Sequence, residues 1–87
     1  MTRREQRLSE LGLGARGVLG APTRVNATIV RLLELGMTEG VEIELTRRAP
    51  GGDPIEVRLR GTRLCLRKAE AAAFPVEAAG AAGAGRE

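Results

Sequence analysis

Residues 41–67 read VEIELTRRAPGGDPIEVRLRGTRLCLR, and apolar and polar side chains alternate through this stretch three times. Val41, Ile43 and Leu45 alternate with Glu42, Glu44 and Thr46. Ile55, Val57 and Leu59 alternate with Glu56, Arg58 and Arg60, and Leu64 and Leu66 alternate with Arg63, Cys65 and Arg67. Successive side chains of a strand point to opposite faces, so each segment reads as a strand with one buried and one solvated face. Residues 48–54, with two prolines and two glycines, read as the loop between the first two strands. Gly61-Thr62 fits a two-residue type II′ turn with glycine at its first central position. That turn sets Leu59 against Leu64, Val57 against Leu66 and, on the outer face, Arg58 against Cys65. In the first hairpin, pairing Glu42 with Arg60 and Glu44 with Arg58 brings opposite charges together. A slip of one residue there exposes the apolar row and is excluded, whereas a slip of two keeps the pattern.

Upstream, Leu8 to Leu11 reads as one helical turn and residues 15–20 as a short first strand stopped before Pro22. Between them, residues 12–17, GLGARG, match the phosphate-cradling template G-x-G-x-x-G. That chemistry needs a strand before the glycines and a helix after them. Here the order is reversed, so these glycines read as a turn leading into a strand. Asn26 is a good helix N-cap, and Gly36 supplies a left-handed stop. Between them Val25, Ile29, Leu32 and Leu33 fall on one helical face, with Leu35 at its flank. Val30, Ala27, Arg31 and Glu34 point outward. Met37 to Gly40 reads as a turn with Gly40 at a positive-φ position. Lys68 to Phe74 is a helical segment, and Pro75-Val76-Glu77 a closing strand.

The expected fold is mainly β: a small, partly open barrel of about five strands with one short helix inserted after the first strand. One short helix cannot cover such a sheet, so the sheet must curl onto itself. Residues 1–7 read as a flexible arm, 8–77 as the domain, and 78–87, low in complexity, as a disordered tail.

Composition narrows the chemistry. The chain has 87 residues, one cysteine and no histidine. It therefore has no intramolecular disulfide and no His-based acid–base or zinc chemistry. Neither catalytic nor metal residues are expected, and no cofactor. Its start is charged and lacks the apolar core of a secretory leader, and no run approaches a membrane span, so a cytoplasmic location without membrane insertion is expected. The formal charge is +3, with all but one of the 14 basic residues arginine. Arg58, Arg60, Arg63 and Arg67 on the outer sheet face leave a basic barrel that binds nucleic-acid phosphates as an alternative. Against it stand the single aromatic residue, Phe74, which offers no stacking platform, and the glutamates that neutralise much of that face.

The stretch Arg31-Leu32-Leu33-Glu34-Leu35-Gly36-Met37-Thr38-Glu39-Gly40, followed by Val41-Glu42-Ile43, resembles the helix–turn–strand signature of the FeoA family. Residues 49–61 are similar to that family's loop and hairpin, and the likeness extends over residues 8–77. Glu39 stands where the family often has proline, and Leu35 and Met37 are exchanged relative to the common order. The resemblance implies an SH3-like barrel and a non-enzymatic accessory protein of ferrous-iron transport. Its implied partner is the cytoplasmic part of the GTP-driven transporter FeoB. Where this stretch begins, Val30, Arg31 and Glu34 are the candidate partner-binding residues, an apolar centre with a charged rim. Unpaired sheet edges also make a homo-oligomer an open alternative.

Overall fold

A computed structural model describes residues 5–78. Six strands form one antiparallel sheet: β1 (Glu5–Arg7), β2 (Arg16–Leu19), β3 (Glu42–Arg48), β4 (Ile55–Leu59), β5 (Thr62–Leu66) and β6 (Pro75–Ala78). Their order across the sheet is β1-β6-β2-β3-β4-β5, so β1 and β5 are the edges. Helix α1 (Ala27–Glu34) lies between β2 and β3 in sequence, and a single turn, α2 (Lys68–Ala71), precedes β6. A 3-10 turn at Leu8–Glu10 packs against α2. The result is the expected open, mainly β architecture, with one more strand than anticipated. Residues 5–7, expected in the flexible arm, pair with β6 through Glu5↔Glu77, Gln6↔Val76 and Arg7↔Pro75. Ala78, expected in the tail, ends β6; residues 79–87 lie outside the described residues.

One face of the sheet carries the core. Leu19, Ile43, Leu45, Ile55, Val57, Leu59, Leu66 and Val76 are buried in a single cluster with Ile29 and Leu32 of α1. Leu8, Leu11, Met37 and Phe74 are equally buried. The alternation thus identified the strands' inner rows, but not the loop residues that close the ends of the core. Met37, read as part of a turn, is fully enclosed. Val25, expected on the helix's inner face, is instead 67% exposed. It precedes the N-cap, and the extended backbone of Asn26 (φ −149°) turns it off the helix.

Helix α1 starts as read: the Ile29 N–H donates to Asn26 Oδ1 at 2.9 Å. Asn26→Ala should cost about 0.5–2 kcal/mol, the usual range for losing such a cap. A chemical-denaturation midpoint equal to that of the parent would show the cap idle. At the other end Gly36 takes φ +117°, the left-handed stop.

The β4–β5 turn differs from expectation. Its central residues are Arg60 and Gly61, with φ of 50° and 77°, so it is a type I′ turn rather than a type II′ turn over Gly61-Thr62. Type I′ geometry matches the right-handed twist of the flanking strands, and this offsets the strain of a non-glycine residue at positive φ. The register moves accordingly: Leu59 faces Thr62, Val57 faces Leu64, Ile55 faces Leu66 and Arg58 faces Arg63. Leu64 is therefore only half-buried, while Leu66 joins the core. In the β3–β4 hairpin Glu44 does face Arg58. A bulge at Thr46 then shifts the ladder so that Arg47 faces Glu56 and Arg48 faces Ile55. Glu42 and Arg60 form no ion pair among the described residues, because Arg60 has left the strand for the turn.

Candidate functional site

Ile29 and Leu32 point α1 into the core, and Leu33 is half-buried beside them. At 100° per residue this sends Ala27, Arg31 and Glu34 to the middle of the outer face, with Val30 and Leu35 on its two margins. All five are exposed; Val30 keeps 39% of its surface and Leu35 52%. The structure thus brings Val30, Arg31 and Glu34 together as expected. It reverses their arrangement, however, since the charges form the centre and the apolar residues the rim. Leu35, expected at the flank of the buried face, belongs to this surface. As the C-cap residue it follows the helix's last turn, and its N–H donates to the Arg31 carbonyl at 3.0 Å. Neither Arg31 nor Glu34 has a side-chain partner among the described residues, so both are free to engage another molecule.

The solvated sheet face is a second charged surface. One row runs Arg16–Glu44–Arg58–Arg63 across β2 to β5, and another runs Arg47–Glu56–Cys65 across β3 to β5. Arg58 Nη2 donates to Glu44 Oε1 at 2.8 Å, and Arg63 Nε approaches Glu56 Oε2 at 3.9 Å. Thr46, released from the ladder by the bulge, donates its hydroxyl to Glu56 Oε2 at 3.1 Å. Each glutamate therefore answers an arginine, which lowers the positive potential expected of this face. Beside the second row lies a groove of about 430 Å³ lined by Arg47, Pro50, Pro54, Glu56 and Cys65 among others.

Cys65 is exposed and unpaired, on the outward row as read. Among the described residues no three His, Cys, Asp or Glu side chains converge as a metal cage. The GLGARG segment joins the 3-10 turn to β2, with Gly14 donating its N–H to the Leu45 carbonyl at 2.7 Å. Its glycines thus shape a turn whose amides serve the sheet. No helix of the described residues is long and apolar enough to cross a membrane.

The family model for the FeoA domain matches residues 6–78, which is the sheet, both helices and their connections. The chain belongs to the FeoA family. FeoA proteins are non-enzymatic accessory proteins of ferrous-iron transport. The solution structure of FeoA from Chlorobium tepidum is 36% identical, with 85% of this chain and 70% of that chain covered at a TM-score of 0.80. FeoA of Stenotrophomonas maltophilia, crystallised with zinc and described as a prokaryotic SH3-domain protein, is also 36% identical. There 83% of this chain and 89% of that one are covered, with a TM-score of 0.73. A FeoA-like protein of Clostridium acetobutylicum is 33% identical over 91% of both chains, with a TM-score of 0.79. A manganese-dependent transcriptional repressor at 16% identity shares the fold alone, with a TM-score of 0.76. The FeoA match thus supports the partly open barrel expected from the strand pattern and the SH3-like fold that the resemblance implied.

Proposed function

We propose that this FeoA protein regulates ferrous-iron transport by docking on the cytoplasmic part of a GTP-driven, FeoB-like transporter. The outer face of α1 is the contact. The family match over the whole barrel carries the transport assignment. The exposed charges and apolar margins of α1 support the location. On the sheet Arg58 and Arg63 are answered by Glu44 and Glu56 within the fold, whereas Arg31 and Glu34 are unanswered and flanked by exposed Val30 and Leu35. Charges free of internal partners set orientation and register with a complementary surface, and the apolar margins add buried area. In this role the domain holds no metal and performs no chemistry; the transporter carries the ion.

The double change Val30→Glu, Arg31→Glu should abolish co-purification with the transporter's cytoplasmic domain. Both positions are exposed, so the melting temperature should stay within a few degrees, about the shift 1 kcal/mol or less produces. Arg58→Glu on the sheet face is the control and should bind normally. Retained binding by the helix variant together with loss in the control would move the interface to the sheet.

A further inference from the structure

We infer that the free edge of β5 is a docking site for an extended acidic segment of a partner polypeptide, which adds to the sheet as a seventh strand. Three observations converge on it.

First, the edge is open. In a type I′ hairpin the residues flanking the turn exchange hydrogen bonds, so Thr62, Leu64 and Leu66 direct their backbone groups to β4. The amides and carbonyls of Arg63 and Cys65 therefore point away from the sheet. No other backbone bond among the described residues reaches them, and β5 is the last strand in the sheet order. The ladder ends at Arg67, whose N–H is taken by Glu70 Oε1 at 2.9 Å. Two consecutive outward-bonding residues remain, a short template for strand addition.

Second, the edge is cationic. Arg60, Arg63, Arg67 and Lys68 line it, and all are exposed. Only Arg63 has an ion partner within the fold, the 3.9 Å contact with Glu56, and its side chain remains 71% exposed. This charge disfavours a second copy of the chain. Two-fold pairing of β5 with itself centred on Cys65 sets Arg63 against Arg67. Centred on Arg63 it sets that guanidinium against its own copy, and centred on Leu64 it brings Arg60 towards Lys68. Like charges directly opposite destabilise a strand pair, and acidic residues there would stabilise it.

Third, the edge has a side-chain receptor beside it. The row Arg47–Glu56–Cys65 borders the groove walled by Pro50 and Pro54. A residue paired opposite Cys65 continues that row and sets its side chain at the groove margin. The favoured segment thus has an apolar residue opposite Cys65 and acidic residues two positions to either side, opposite Arg63 and Arg67. This pattern is symmetric, so it suits either strand direction. The site is separate from the outer face of α1 and does not depend on the transporter assignment.

The test is a titration of the 15N-labelled full chain with the peptide acetyl-TETVTET-amide and its lysine counterpart acetyl-TKTVTKT-amide, each to about 1 mM, the upper range of weak specific binding. Expected are saturable shifts and slowed hydrogen exchange at the Arg63 and Cys65 amides with the acidic peptide alone. Cys65→Pro removes one outward N–H without touching the β4 ladder, a position where an edge strand tolerates proline. It should keep a dispersed spectrum and weaken binding about tenfold or more. Arg63→Glu with Arg67→Glu should exchange the preference to the lysine peptide. Absence of saturable shifts at Arg63 and Cys65, equal response to both peptides, or full binding by a folded Cys65→Pro protein would overturn the proposal. Protection of those amides that grows with protein concentration alone would assign the edge to a second copy and overturn it equally.

Discussion

Phe74→Ala is expected to remove about 3–5 kcal/mol of stability, the range for deleting a buried aromatic ring. Phe74 is the only aromatic residue of the chain and is wholly buried, at the turn from α2 into β6. Its sequence neighbours Ala71 and Ala73 are buried as well. Neither has side-chain atoms that can swing into the vacated volume, so the cavity should persist rather than collapse. The backbone carbonyl of residue 74, which accepts the Leu8 N–H at 2.8 Å, is kept in the variant, so the loss is that of the ring alone. A domain this small has a total stability of about 5–15 kcal/mol, so the loss is a large fraction of it. The urea midpoint should fall by on the order of 1–5 M, or the protein should fail to fold at room temperature. A midpoint within experimental error of the parent would mean the ring is not the closing element of this core.

Gly17→Ala should destabilise by about 1–3 kcal/mol, although replacing glycine in a strand ordinarily stabilises by about 0.5–1 kcal/mol. The sign reverses because of what the new methyl meets. A Cβ at Gly17 overlaps Cγ1 of Val76 and stands 3.0 Å from the Glu77 carbonyl oxygen. β2 is held between β3 and β6, with Gly17 paired to Ile43 on one side and Ala78 on the other. The strand therefore has no free side to move toward. Val76 is buried, and its branched side chain has few alternative rotamers. Adding Val76→Ala should relieve the overlap, so the double variant should be less unstable than the sum of the singles by about 0.5 kcal/mol or more. Additive losses, or a Gly17→Ala protein that melts at or above the parent, would show that the close approach is not what the glycine serves.

The partly legible features share one cause. Alternation named the buried rows of β3, β4 and the inner residues of β5 because the period of a strand is a local property. It did not locate the β4–β5 turn, since glycine suits both II′ and I′ turns and the choice shifts the register by two residues. Both registers keep Leu64 and Leu66 on the inner side. The sheet's twist suits both turns; the pairing of β4 with β5 in the assembled core, which sets Ile55 opposite Leu66, goes with the turn in which Arg60 accepts φ 50°. The candidate site shows the same division. The helical period placed Val30, Arg31 and Glu34 outward and left Leu35 on the boundary between the two faces, and only the extent of the packed core decides that Leu35 is 52% exposed. The β5 edge was invisible for another reason. Which strand lacks a neighbour is set by the order of all six, and no segment carries that information.

By itself, then, the sequence determined what local periodicity and composition control. These are a mainly β domain of short half-buried strands, a helix capped by Asn26 and stopped by Gly36, charged outer rows, and the absence of histidine chemistry. The tertiary structure alone decided the rest. It recruited Glu5–Arg7 as an edge strand, enclosed Met37 and Phe74, moved Arg58 opposite Arg63, and left the outward backbone groups of Arg63 and Cys65 without a partner among the described residues. Each of these depends on contacts between residues far apart in the chain, and their energies exist only once the sheet has closed around one core.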